Sequence, residues 1–255
     1  MHDYIRQWLN LLLAPLMWGM SSLYMLVPSA RSASEFSDMS ENILVPFGVA
    51  FAIWLPIFVG CIAYGVLQFF RANRTREIFR QSGWWTAAGF AGVCGWALIS
   101  AFAPAEFVQW GTILIFVPTM LCLVKAMLIL SRGRGSLCKI ERFLVKLPIA
   151  LIAGWTSIAV FLNWTPILDN AIGGVTPPLL PSFIMLGLAL LWAAVNIYKS
   201  GSRAYAFPIL WGLSFLAVRH FTDGGTIVIA YGALIGIVIL LATLWRGYSR
   251  RTTTA

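Results

Sequence analysis

From Leu179 to Tyr198 the chain runs for twenty residues without a single charge. A run of about that length is what an α-helix needs to cross the hydrocarbon core of a bilayer. Comparable apolar stretches fall at about 8–27, 45–70, 84–103, 108–130, 144–166, 179–198, 204–219 and 225–245. The seventh is the weakest, being short and holding Pro208. In lipid every backbone group must be bonded within the protein, so only helices and closed barrels cross. These runs are continuous rather than alternating ten-residue segments, which excludes a barrel. Composition agrees: 60% of the 255 residues are apolar and only 11% are charged, against roughly 25% charged in a soluble domain. The expected fold class is an all-α integral membrane protein of about eight transmembrane helices.

The charges test that count independently. With the N-terminus inside, the 18 lysines and arginines fall on inner segments, save Arg31, Lys125 and Arg219. Lysine and arginine collect on the cytoplasmic side of membrane proteins, so the net charge of +9 needs no nucleic acid to explain it. Lys125 lies about 7–10 Å inside the fourth run at 1.5 Å per residue, a depth from which a lysine reaches the interface. Both termini are expected in the cytoplasm, with the chain in the cell membrane. Glu35, Asp38, Glu41, Glu106, Asp169 and Asp223 then lie outside, read chiefly as solvated loop charge. The small residues of "SARSA" after the first run allow a signal-peptide reading, but that run is span-length and rich in Trp and Met, and we take it as a retained helix. The four cysteines form no CxxC pair, so neither a disulfide framework nor a metal site is expected.

Chemistry is sparse. The two histidines, His2 and His220, are far apart, and no HExxH, phosphate-binding glycine loop or paired intramembrane carboxylate is present. A catalytic constellation needs such convergent groups. An enzyme acting on lipid or pigment is therefore the least favoured reading, no cofactor is expected, and a proton-coupled pump is disfavoured. Arg219, His220 and Asp223 are read as a helix-end anchor before an acidic-ligand site. Aromatic surface, by contrast, is abundant: 12 Trp, 17 Phe and 7 Tyr. Trp8, Trp84, Trp85, Trp110 and Trp245 fall near run ends, where indoles form interfacial belts. Trp54, Trp96, Trp155, Trp192 and Trp211 sit deeper, and their rings offer flat apolar faces with one N–H donor each.

The fifth run, "GWTSIAVFLNWTPILDN", carries Trp155, Ala159, Leu162, Asn163 and Asn170. Residues 155, 159 and 163 recur every four positions and share one helical stripe. This pattern resembles the fifth helix of the TspO/MBR family, the translocator proteins or tryptophan-rich sensory proteins. The second run, with Pro46, Phe51, Trp54 and Phe58, looks like that family's second helix, and Trp96 with Phe102 is similar to its third. The resemblance covers roughly residues 1–170 as a five-helix region, leaving 171–255 as a three-helix membrane extension. Departures include Val93 where the family carries an asparagine and a single proline, Pro46, where it carries two.

What the resemblance implies is a planar or amphipathic hydrophobic ligand, tetrapyrrole-like, held in an aromatic-lined pocket in a sensory or transport-related role. The implied ligand-binding residues are Trp54, Phe58, Trp96, Trp155, Ala159 and Asn163. The partners expected are the lipid bilayer, a porphyrin-like or sterol-like molecule and, in a homodimer, a second copy of the chain. The alternative is a carrier or permease for a small amphipathic solute, with Pro56, Pro118, Pro166 and Pro208 interrupting its helices. For Asn163 two roles stand level: a ligand contact and an interhelical clip.

Overall fold

The computed structural model describes residues 2–38, 42–104, 107, 110–133, 137–174 and 178–253. Glu41 and Glu106, two of the expected outer acids, lie outside them. The described residues are helical, without strands. Eight long helices are α1 (His2–Ser21), α2 (Trp54–Phe69), α3 (Glu77–Phe102), α4 (Val117–Arg132), α5 (Leu147–Ala171), α6 (Leu179–Ser200), α7 (Arg203–Thr222) and α8 (Ile227–Thr253). Six stretches among the described residues are long and apolar enough to cross a membrane: Gly48–Phe69, Glu77–Phe102, Ile113–Arg132, Lys139–Ala171, Leu179–Ser200 and Ile227–Gly247. The protein is thus an all-α, multi-pass membrane protein. Helices α1 and α7 stand outside those six, and both carry buried polar side chains.

Several helices do not begin as α-helix. Gly48–Ile53 is a 3₁₀ turn leading into α2, while Thr112–Phe116 and Arg142–Lys146 are π-helical turns before α4 and α5. Non-α turns within spans often mark functional places. Pro148, Pro166 and Pro208 each remove one backbone donor from their helices, and in a membrane the released carbonyl needs another partner.

The chain folds as two compact units. The first holds Met1–Ala33 and Ile53–Ala153. In it α3 packs against α1 and α4, and α1 against α2. Close approach depends on glycine: a Cβ at Gly65 would stand 2.8 Å from the Asn10 carbonyl oxygen. Small residues at such crossings let membrane helices gain van der Waals contact. At this junction α1 buries Arg6, Gln7 and Asn10, and Arg6, one of the cations the sequence places on the inner side, is fully enclosed. Arg6 Nη1 donates to Gln68 Oε1 at 2.9 Å and to the Phe79 carbonyl at 2.8 Å. Asn10 Nδ2 donates to the Gly83 carbonyl at 2.8 Å, and Thr86 Oγ1 to Asn10 Oδ1 at 2.6 Å. The Tyr64 hydroxyl, 3.0 Å from Thr86 Oγ1, extends the network to α2. Arg76 pairs with Glu141, while Arg31, one of the two outer cations, binds the carbonyls of Ala101 and Ala103 at the end of α3. Lys125 is exposed, as its reach to an interface requires.

The second unit holds Ser34–Ala52 and Gly154–Ala255. Here α8 packs against α7 and α6. Helix α6 ends at Gly201, whose φ of 58° is a left-handed conformation that costs glycine no Cβ clash. Ser202 then caps α7, its Oγ accepting from the Tyr205 amide at 3.1 Å. Ser157 of α5 joins three helices: its Oγ accepts from Trp192 Nε1 at 3.1 Å and from the Tyr205 hydroxyl at 2.9 Å. At Gly154 any Cβ would collide with the Tyr205 carbonyl oxygen and lie 2.6 Å from Pro208 Cγ.

Candidate functional site

The six sequence-derived site residues fall in both units. In the first, Trp54 and Phe58 are one turn apart on α2 and stack with centroids 5.1 Å apart and planes 15° from parallel. Trp96 of α3 stacks on Phe116 at 4.7 Å and 16°. Phe116 closes the π-helical turn before α4, and its part in this pair was not legible in the sequence. Each of these indoles therefore has an aromatic ring against one face.

In the second unit, Trp155, Ala159 and Asn163 lie along α5. Trp155 is only 4% exposed. Phe51 meets its ring edge-on, with centroids 6.0 Å apart and planes at 85°. On α7, Gly212 presents bare backbone to the same ring: a Cβ there would lie 3.5 Å from Trp155 Cζ3. Asn163 is half-buried, and its Nδ2 donates to the Ala159 carbonyl one turn back at 2.8 Å. Among the described residues it makes no hydrogen bond to another helix. Its side-chain oxygen accepts no protein donor there. Next to it, Trp164 has an enclosed Nε1 with no hydrogen-bond partner among the described residues.

Phe51 sits in the 3₁₀ turn Gly48–Ile53, at the end of a strap from Asn42 whose polar groups are matched to α5 and α7. Pro166 leaves the Leu162 carbonyl without its helical donor, and Asn42 Nδ2 supplies one at 2.6 Å. Asn42 Oδ1 in turn accepts from the Leu44 amide at 2.9 Å. Along α7, His220 Nε2 donates to the Ile43 carbonyl at 2.6 Å and Arg219 Nη1 to the Val45 carbonyl at 2.9 Å. Farther along, the Phe47 amide donates to the Phe215 carbonyl at 3.2 Å, and Trp211 Nε1 donates to the Ala50 carbonyl at 2.9 Å. Arg219 and His220 thus anchor backbone. Trp211 also packs on Phe215, with centroids 4.7 Å apart. Trp211 stood out in the sequence as a deep indole, whereas nothing there marked Asn42, Gly212 or Ser157. Only Pro166, which demands a donor for the freed carbonyl, pointed towards such a cap.

Among the described residues no group of three or more His, Cys, Asp or Glu side chains is placed to hold a metal ion. The arrangement offers stacking surface, shape and single hydrogen-bonding groups. Residues 7–245 match the family described as TSPO-like protein, a span that includes α6, α7 and most of α8. No curated protein and no solved structure matches the chain.

Proposed function

The chain belongs to the TSPO-like family, and from that premise we propose that it is a cell-membrane receptor or transport-related protein for a flat or amphipathic hydrophobic ligand of tetrapyrrole type. Its helices cross the membrane eight times with both termini in the cytoplasm. The stripe Trp155, Ala159 and Asn163 is the main ligand contact in this reading, with Trp155 supplying an aromatic surface. Trp54, Phe58 and Trp96 of the first unit are a separate set of candidate aromatic contacts, each with one ring face already covered. The observation that carries the reading is the state of Asn163. Its amide nitrogen is spent on its own helix at Ala159, which favours a ligand contact over an interhelical clip. The carbonyl oxygen suits a donor such as a pyrrole N–H.

Tryptophan fluorescence of purified protein titrated with porphyrins, haem, sterols and carotenoids tests this. Saturable quenching by a planar ligand is the expected result, weakened in Trp155→Phe, which keeps a smaller ring, and roughly tenfold or more in Trp155→Ala, since loss of one stacked ring costs about 1–3 kcal/mol by analogy with base stacking. If no planar ligand quenches the wild type saturably, the reading fails.

A carrier or permease is the second reading. It is favoured by the non-α turns at Gly48–Ile53, Thr112–Phe116 and Arg142–Lys146, since interrupted helices line transport paths. Saturable uptake of the same ligand into proteoliposomes supports it, whereas binding without flux supports the receptor.

A further inference from the structure

We propose that the exposed face of α4 is a binding site for one anionic phospholipid. Arg132 holds the headgroup phosphate, Lys125 adds a second cationic contact, and Leu121 and Leu128 lie along an acyl chain. The inference stands apart from the ligand reading of Trp155, since every residue it uses belongs to the first unit.

The argument begins with an inventory of charge. Of the 9 acidic residues, only Asp3, Glu77 and Glu141 fall on the segments where lysine and arginine collect. All three are already engaged. Asp3 pairs with Arg80 at 2.6 Å and with Arg6 at 3.5 Å, and Glu141 pairs with Arg76. Glu77 Oε1 accepts from Gln81 Nε2 at 2.9 Å. Lys125 and Arg132 are both exposed, and neither side chain makes a hydrogen bond or ion pair among the described residues. Their counter-charge has to come from outside that part of the protein.

Position identifies the source. Residues 121, 125, 128 and 132 follow one another at intervals of four, three and four, so they share one stripe of α4. Lys125 stands about 10 Å from Arg132 along the axis at 1.5 Å per residue, inside the stretch Ile113–Arg132 that is apolar enough to cross a membrane. A cation at such depth is costly without a counter-charge, and the lysine stem is long enough to carry its ammonium towards the Arg132 end. On the same stripe Leu121 is exposed and Leu128 half-buried. A soluble anion would meet the charge alone. A phospholipid meets both parts: its chain covers the leucines, and its phosphate accepts from the Arg132 guanidinium, whose fork matches phosphate oxygens. Basic clusters at the cytoplasmic ends of membrane helices hold anionic headgroups in this way.

The test uses the full chain in a neutral detergent, with phosphatidylglycerol as the probe, phosphatidylcholine as its zwitterionic counterpart and inorganic phosphate as the soluble anion. Native mass spectrometry counts the lipid retained by wild type, Lys125→Met, Arg132→Gln and Arg71→Gln. Arg71 is an exposed cation in the turn between α2 and α3, off the α4 stripe, so it controls for charge in general. Wild type should retain phosphatidylglycerol in preference to phosphatidylcholine, and inorganic phosphate at equal concentration should not displace it. Affinity should fall roughly fivefold for each cation removed from the stripe, with Arg71→Gln binding as wild type does. Equal retention of the two lipids overturns the proposal. So does an equal loss in Arg71→Gln, which makes the attraction diffuse, or displacement by phosphate, which makes the lipid chain irrelevant. Melting of Lys125→Met or Arg132→Gln well below wild type in lipid-free detergent also overturns it, because the cations then act within the fold.

Discussion

The two units solve the same problem, polar groups inside an apolar protein, in opposite ways. The first gathers side chains around a buried guanidinium: Arg6, Asn10, Gln68, Tyr64 and Thr86 bond to one another and to a few carbonyls, although Arg6 Nε and Gln68 Nε2 are buried without a partner among the described residues. The second uses side-chain donors to cap individual backbone carbonyls, with Asn42 at Leu162, Trp211 at Ala50, Arg219 at Val45 and His220 at Ile43. A network of this kind ties its helices together at one register. Capped, interrupted backbone leaves side chains such as Trp155 bordered by a strap and a glycine.

The sharpest way to break the contrast is at Gly154. Gly154→Ala forces the Tyr205 backbone aside, and overpacking of this kind costs about 1–3 kcal/mol or more. The second unit should then melt well below wild type, read by circular dichroism in detergent. In the first unit, Gln68→Leu removes the acceptor of Arg6 and Asn10; leaving buried donors unsatisfied costs about 1–3 kcal/mol, more for a charged one. If Gln68→Leu melts as the wild type does, the polar network is not what holds α1 to α2 and α3. Ser157→Ala deprives Trp192 and Tyr205 of their common acceptor, and interhelical hydrogen bonds in membranes average about 0.6 kcal/mol each. A drop smaller than that of Gln68→Leu is expected, with a blue shift of tryptophan emission as Trp192 loses its hydrogen-bond acceptor.

The smallest effect concerns pH. The Asp3 carboxyl, outside the membrane-spanning segments, is held below its usual range chiefly by its hydrogen bond from the Arg80 guanidinium. A carboxylate with a depressed folded-state pKa contributes stability above its unfolded value, near 3.9, and loses it as pH falls through the folded one. Asp3 is partly exposed and its partner Arg80 more so, so screening keeps the contribution small. Wild type and Asp3→Asn should differ slightly in melting temperature at pH 6, and the difference should shrink once pH falls below about 3.9. A difference that does not shrink as pH falls further would assign the effect to packing instead of charge.

Much of the helical layout was legible because span length and apolar content are one-dimensional properties. The runs at 45–70, 84–103, 108–130, 144–166, 179–198 and 225–245 each overlap a stretch able to cross a membrane. Helix starts were less legible. Glu77 and Lys139 begin their helical stretches several residues before the apolar runs do, because charged first turns extend a helix beyond the greasy part that marks it. In the candidate site, Trp155, Ala159 and Asn163 could be placed on one stripe from spacing alone. Their neighbours could not, since Phe51, Trp211 and Gly212 reach Trp155 or its strap across separations of fifty residues or more.

By itself, then, the sequence determined that this protein lives in a membrane, which stretches are helical and which side chains of α5 share a face. Those follow from local chemistry: transfer of apolar residues into lipid, and the helical repeat. Tertiary structure decided that Arg6 is buried and networked, that Pro166 is answered by Asn42, and that Asn163 turns its nitrogen onto its own helix. It also decided that Gly212 stands beside Trp155. Each of these depends on which distant carbonyl or ring arrives at hydrogen-bonding or contact distance, and only the packed chain sets that.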